Sequence, residues 1–121
     1  MKKTILIVDD ASMIRNLALK TAESAGYEVV TAEDGIDGLE KLAENEIDLL
    51  FTDLNMPQMN GLEMVAKIRE NSKYEFLPIV ILTTEKKEEL KIKGKALGVK
   101  AWLVKPFNKN KFLTALEKLL G

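Results

Sequence analysis

Four short apolar runs in this chain end on a polar side chain able to do chemistry. Ile5-Leu6-Ile7-Val8 is followed by Asp9 and Asp10, and Leu49-Leu50-Phe51 by Thr52 and Asp53. Ile79-Val80-Ile81-Leu82 runs into Thr83 and Thr84, and Trp102-Leu103-Val104 into Lys105 and Pro106. The remaining run, Val29-Val30, leads only to Thr31 and Ala32. Taken singly, each acid reads as an ordinary helix N-cap. Brought together, three carboxylates repel one another and raise each other's pKa unless a cation lies between them. A hard divalent ion with oxygen ligands answers that repulsion. Mg²⁺ is the natural one, since it keeps several waters and needs only two or three carboxylates. Lys105 adds a compact point charge for an anionic oxygen, and Thr83 adds a hydroxyl donor. Metal, ammonium and hydroxyl together suit a phosphoryl group bound to, or arriving at, a carboxylate. Catalysis of that kind is mostly positioning and charge neutralisation.

Such convergence needs elements that deliver every run to one edge. The first and fourth runs are continuously apolar, as strands buried on both faces of a parallel sheet are. Between the runs lie helical spacings: Ile14, Leu17, Ala18, Thr21, Ala22 and Ala25, closed by Gly26; Leu39, Leu42 and Ala43; and Leu62, Val65 and Ile68. A weaker set, Leu90, Ala96 and Leu97, is closed by Gly98, and Phe112, Ala115, Leu116 and Leu119 form the last. These are read as core-facing stripes. Five strand–helix pairs in 121 residues predict an α/β fold: a doubly wound (βα)₅ unit with a five-stranded parallel sheet, order 2-1-3-4-5, and helices on both faces. Ligands bind at the carboxyl ends of the strands of such sheets. The expectation is one domain over residues 1–121, with no effector domain.

The bulk composition removes other classes. There is no histidine, which excludes His-based acid–base catalysis and His-ligated metal, and no cysteine, which excludes disulfides and thiolate sites. A net charge of −1 lacks the basic excess of a nucleic-acid binder. The amino terminus is interrupted by acid too soon for a signal peptide, and no apolar stretch approaches a membrane span. No P-loop or dinucleotide fingerprint is present. A metal-dependent phosphatase would need an Asp-x-Asp pair, whereas Asp53 is followed by Leu54 and Asn55.

The ordered set resembles the bacterial response-regulator receiver domains, and more narrowly the single-domain, chemotaxis-type (CheY-like) ones. It comprises Asp9-Asp10, Asp53 within Asp53-Leu54-Asn55-Met56-Pro57-Gln58-Met59-Asn60-Gly61, Thr83, and Lys105-Pro106-Phe107. The resemblance implies that Asp53 accepts a phosphoryl group. It implies that Asp9, Asp10, Asp53 and the backbone carbonyl of Asn55 hold Mg²⁺, with Mn²⁺ as the alternative ion. Thr83 would follow a phosphoryl oxygen, Lys105 would pair with it, and the Lys105–Pro106 bond would often be cis. The donor would be the phosphohistidine of a sensor histidine kinase, which agrees with the absence of histidine here. A cytoplasmic monomer that binds neither nucleic acid nor membrane is implied, as a switch rather than an enzyme, one that assists its own phosphorylation and dephosphorylation.

Departures from the family pattern are informative. Trp102 stands where tyrosine or phenylalanine is usual, and either swings as part of the switch or repacks at the core edge. Thr84 replaces a common alanine beside the phosphoryl pocket. Asn55 and Glu85 flank the site at positions that tune hydrolysis. The fourth helix is dense in charge, from Lys86 through Lys95, and carries Gly94, which costs about 1 kcal/mol against alanine. It reads either as a solvated face or as a marginal element of the partner surface, remodelled through Thr83 and Trp102. The downstream target is a flagellar motor protein in the chemotaxis reading, or a histidine phosphotransfer protein if the chain is a phosphorelay intermediate.

Overall fold

The computed structural model describes residues 2–121; Met1, the first residue of the expected domain, lies outside the described residues. The elements alternate as β1 (Thr4–Val8), α1 (Ser12–Ser24), β2 (Glu28–Ala32), α2 (Gly35–Glu44), β3 (Leu49–Thr52), α3 (Gly61–Arg69), a 3₁₀ turn at Ser72–Tyr74, β4 (Ile79–Thr83), α4 (Glu88–Ala96), β5 (Ala101–Val104) and α5 (Lys109–Leu120). All strands are parallel, in the order β2-β1-β3-β4-β5. The predicted fold class and strand order are therefore those of the structure.

Alternation along each strand divides the core in two. Ile5 and Ile7 of β1 point to the face covered by Ala18 and Ala22 of α1 and Phe112 and Leu116 of α5. Leu6 and Val8 point to the other, covered by Leu42 of α2 and Met64, Val65 and Ile68 of α3. This period of two is what a strand dictates, and burial on both sides is why the runs are continuously apolar. Phe51 and Phe112 meet at 4.4 Å between ring centroids.

The helical stripes need four corrections. Leu17 is 44 % exposed, and Ala25, Ala43 and Ala96 are also exposed. On α1 the buried line runs through Ala18, Thr21 and Ala22, so Leu17 falls at its margin. Ala25 is the C-cap of α1, beyond the last turn. Met64, unnamed among the apolar periods, is wholly buried. Gly26 and Gly98 follow α1 and α4 at φ 95° and 80°, closing both helices as expected.

Two local devices hold the loops that matter. Asn60 caps α3: its side chain accepts from the Glu63 amide at 2.8 Å, while Glu63 accepts from the Asn60 amide at 2.9 Å. That capping box fixes where the segment after Asp53 re-enters regular structure. Arg69, at the end of α3, donates to Leu97 O at 2.8 Å, Gly98 O at 3.3 Å and Tyr74 O at 2.6 Å. It staples the carboxyl end of α4 to the turn after α3. No helix of the described residues is long and apolar enough to cross a membrane.

Asn60→Ala removes one half of the capping box. Its urea midpoint is expected to fall by the equivalent of about 1 kcal/mol, with an unchanged m-value. No change in midpoint would mean that α3 holds its start without the cap.

Candidate functional site

The site forms where β1, β3 and β5 end. Val8 of β1 pairs with Thr52 of β3, so the residues that follow, Asp9 and Asp53, leave the sheet side by side. Both are buried, at 2 % and 6 % exposure, while Asp10 is exposed. Neither Asp9 nor Asp10 is the N-cap of α1; that place belongs to Ala11, which has no side-chain cap. Asp9 instead accepts the Ala11 amide on Oδ1 at 2.9 Å. Asp53 accepts the Leu54 amide at 2.6 Å and the Asn55 amide at 3.4 Å, both on Oδ1. The reading of these acids as helix caps is thereby set aside by geometry.

Lys105 closes the group. Its Nζ lies 3.0 Å from Asp9 Oδ2 and 3.1 Å from Asp53 Oδ2. The Lys105 amide donates to Thr83 O at 2.8 Å, and the Lys105–Pro106 peptide is cis. Burial acts to lower the Lys105 pKa, but the hydrogen bonds and charges of Asp9 and Asp53 outweigh it and the net displacement is upward. Burial pushes the Asp9 carboxyl above its ordinary value, against the opposing pull of the Ala11 amide and Lys105.

Carboxylate oxygens of Asp9, Asp10 and Asp53 all lie within 4.8 Å of one another. Ionised together, they face a single ammonium, which leaves two negative charges. The donors are hard oxygens and the uncompensated charge is that of one divalent ion, so the residues fit Mg²⁺. Thr52 Oγ1 donates to Asp53 O at 2.8 Å.

The remaining predicted residues fall into a second group. Thr83 is wholly buried, and its Oγ1 accepts the Glu85 amide at 3.3 Å. Glu85 O in turn accepts the Trp102 indole N–H at 2.9 Å. Thr83 and Trp102, paired in the sequence reading, are therefore linked in series through Glu85, which was named apart from them. Asn55 and Thr84 are exposed at the rim.

Three contacts escaped the sequence reading. Arg15 Nη1 donates to Asp9 O at 2.7 Å. A Cβ on Gly61 would collide with Asp53 O, so only glycine lets the start of α3 lie against the backbone of Asp53. Gly94 has a milder reason: a Cβ there would meet Trp102 Cζ3 at 3.2 Å, and the ring would have to give by a few tenths of an ångström. The signal for Gly94 was present, a glycine inside a helix and an unusually large ring eight residues on, but nothing in the sequence joined them.

The sequence model described as "Response regulator receiver domain" matches residues 5–117. The chain is similar to the chemotaxis protein CheY1 of Helicobacter pylori, 40 % identical over 119 residues that span 97 % of this chain and 96 % of that protein. Among solved structures it is similar to Vibrio cholerae chemotaxis protein CheY4, with 44 % identity, TM-score 0.93, and 98 % and 99 % of the two chains covered. It is also similar to response regulator TrrA of Thermotoga maritima in complex with Mg²⁺-BeF, with 33 % identity, TM-score 0.85, and 97 % and 98 % covered.

The pH dependence of metal-free stability follows from Asp9. Its folded-state pKa is raised, so its ionised form weakens the fold. That penalty is absent below the ordinary carboxylate range and complete once pH has passed the raised value. In EDTA, stability is expected to fall as pH climbs through that interval, and Asp9→Asn is expected to flatten the fall. At pH 7, Mg²⁺ at a hundredfold its Kd should stabilise the wild type by about 2.7 kcal/mol, and Asp10→Asn much less. An equal Mg²⁺ gain in Asp10→Asn, read by thermal unfolding, would remove this cluster as the ion's seat.

Proposed function

The chain belongs to the response regulator receiver domain family, and on that premise we propose that it is a chemotaxis-type signalling switch that accepts a phosphoryl group on Asp53. The observation that carries this reading is the Asp53 carboxylate itself. One oxygen is held by backbone amides and the other by Lys105, with two further acids alongside. The donor is a phosphohistidine on a sensor kinase. Its P–N bond breaks as a P–O bond forms to Asp53, and an acyl phosphate results.

Asp9, Asp10, Asp53 and the Asn55 carbonyl would hold Mg²⁺, which neutralises charge on the phosphoryl oxygens when bound. Lys105 moves its ammonium from the carboxylate pair to a phosphoryl oxygen, so the charge it met at Asp53 is kept in partnership. The Thr83 hydroxyl exchanges the Glu85 amide for donation to another phosphoryl oxygen. Releasing Glu85 frees the carbonyl that holds Trp102, and the ring and α4 adjust together. Asn55 and Glu85 stand where they govern water at the acyl phosphate, and the exposed methyl and hydroxyl of Thr84 narrow the approach. The protein acts in the cytoplasm, as a monomer, with its targets read at its own surface. It assists gain and loss of its own phosphoryl group rather than turning over an external substrate.

The test is labelling with a small phosphodonor in Mg²⁺, followed by Trp102 fluorescence. Wild type is expected to gain one base-labile, hydroxylamine-sensitive phosphoryl group and to change its emission, with both lost in Asp53→Asn and in EDTA. Undiminished labelling of Asp53→Asn would place the acceptor elsewhere and overturn the proposal.

A further inference from the structure

Of the seven asparagines in the chain, only Asn60 is followed by glycine. In a flexible chain that pair reacts with itself. The glycine nitrogen attacks the asparagine side-chain carbon, because no Cβ on the glycine stands in the way. Here the Gly61 nitrogen would bond to Asn60 Cγ, the side-chain nitrogen would leave as ammonia with the Gly61 proton, and a five-membered succinimide would remain. One water then opens the ring. Attack at Cγ gives aspartate. Attack at the main-chain carbonyl gives isoaspartate, whose backbone runs through Cβ and Cγ. Water is the one co-reactant and ammonia the one by-product.

The fold opposes the first step. Asn60 Oδ1 accepts the Glu63 amide at 2.8 Å, and the Asn60 amide donates to Glu63 Oε1 at 2.9 Å. Asn60 O accepts the Met64 amide at 3.0 Å, and the Gly61 amide donates to Leu54 O at 2.8 Å. A ψ of 169° at Asn60 sets the Gly61 nitrogen gauche to Cβ, whereas ring closure needs the two eclipsed. Both reacting groups are thus tied to partners that hold them apart. The tie is nevertheless local. Asn60 is exposed and lies at the end of a helix, where opening costs least. Its two hydrogen bonds with Glu63 are the ones that must break for the side chain to turn.

The two products differ in what they do to the neighbouring loop. Aspartate keeps the backbone length and caps a helix as well as asparagine does. Isoaspartate inserts one carbon into the backbone immediately before Gly61. That residue is packed against the Asp53 carbonyl so closely that a Cβ would collide with it, and its amide is bound to Leu54 O. The longer backbone cannot keep both contacts and the start of α3 in place. We propose that Asn60 is a self-modification site, that its reciprocal hydrogen bonds with Glu63 set the rate of conversion, and that the isoaspartyl product dislodges the loop that holds Asp53. The consequence for phosphoryl uptake rests on the switch reading above; the conversion and its control by Glu63 do not.

The test ages the whole chain at mildly alkaline pH and follows each asparagine by peptide mapping with mass spectrometry. A peptide spanning residues 54–66 is the unstructured reference, and Asn71, which caps the 3₁₀ turn, is the internal one. Asn60 is expected to convert more slowly in the chain than in the peptide. In Glu63→Ala it should convert about fivefold faster than in wild type, the effect of losing half of the cap on local opening. Glu63→Gln, whose side chain still accepts from the Asn60 amide, should stay at the wild-type rate. Conversion of Asn71 should be equal in all three. After separation of the aged protein, the isoaspartyl fraction is expected to lose the Mg²⁺ gain in thermal unfolding. The aspartyl fraction should keep that gain and unfold as Asn60→Asp does.

Equal rates in chain and peptide, a wild-type rate in Glu63→Ala, or a full Mg²⁺ gain in the isoaspartyl fraction would overturn the proposal. The two readings fail separately. Fresh protein that takes up no phosphoryl group sinks the switch and leaves the conversion rates as evidence for the lock. Labelling of Asp53 that is undiminished in the isoaspartyl fraction sinks this inference and spares the switch.

Discussion

One ammonium between two buried carboxylates is the contact on which the site depends. Lys105 meets Asp9 and Asp53 at 3.0 and 3.1 Å. Carboxylates removed from water in this way are costly unless paired. The arrangement constrains the fold as much as it uses it. β5 lies two strands from β3 and three from β1. At about 4.8 Å between neighbouring strands, only a long side chain reaches from the end of β5 to both acids. Lysine has that reach and a single point of charge, so one group serves two partners. Arginine would bring a planar fork suited to one carboxylate at a time.

Regions whose structure follows from burial were legible in the sequence. Ile5 to Val8 and Ile79 to Leu82 read as buried strands because both faces of a parallel sheet are covered, and both are buried. Once the strands were placed, parallel winding put Asp9, Asp10, Asp53, Thr83 and Lys105 at one edge without further assumption. The acidic cluster followed from connectivity alone, and it is the group whose oxygens the structure brings within 4.8 Å. Helix surfaces were less legible. Leu17, Ala25, Ala43 and Ala96 have the right spacing or residue type for burial but are exposed. Spacing marks a stripe, and only the packing partner decides how wide it is.

Contacts between side chains and distant backbone were not legible at all. Arg69 reads as a surface cation at the end of an amphipathic helix, yet it gathers carbonyls from two separate turns. Gly61 reads as part of a loop, although a Cβ there would strike Asp53 O. Gly94 reads as a defect in α4 until Trp102 is laid against it. In each case the cause lies in a partner far away in sequence or in backbone geometry, neither of which leaves a period or a composition to read.

These same contacts give α4 two unequal ends. Its carboxyl end is held by Arg69 on Leu97 O and Gly98 O, and by the turn through Gly98. Its amino end begins at Lys87 with no side-chain cap, and Gly94 is the helix's one buried residue. The hydrogen bonds that join Thr83 to Trp102 pass through Glu85, two residues before that weaker end. On the switch reading, a change at Asp53 is therefore expressed where least structure opposes it. On that reading the helix moves about its fixed foot, and Gly94 is its one buried residue. A stronger α4, better capped and more deeply buried, would hold one position whatever happened at Asp53. On the same reading, the charge density and the glycine that make this helix marginal suit an element that answers the site.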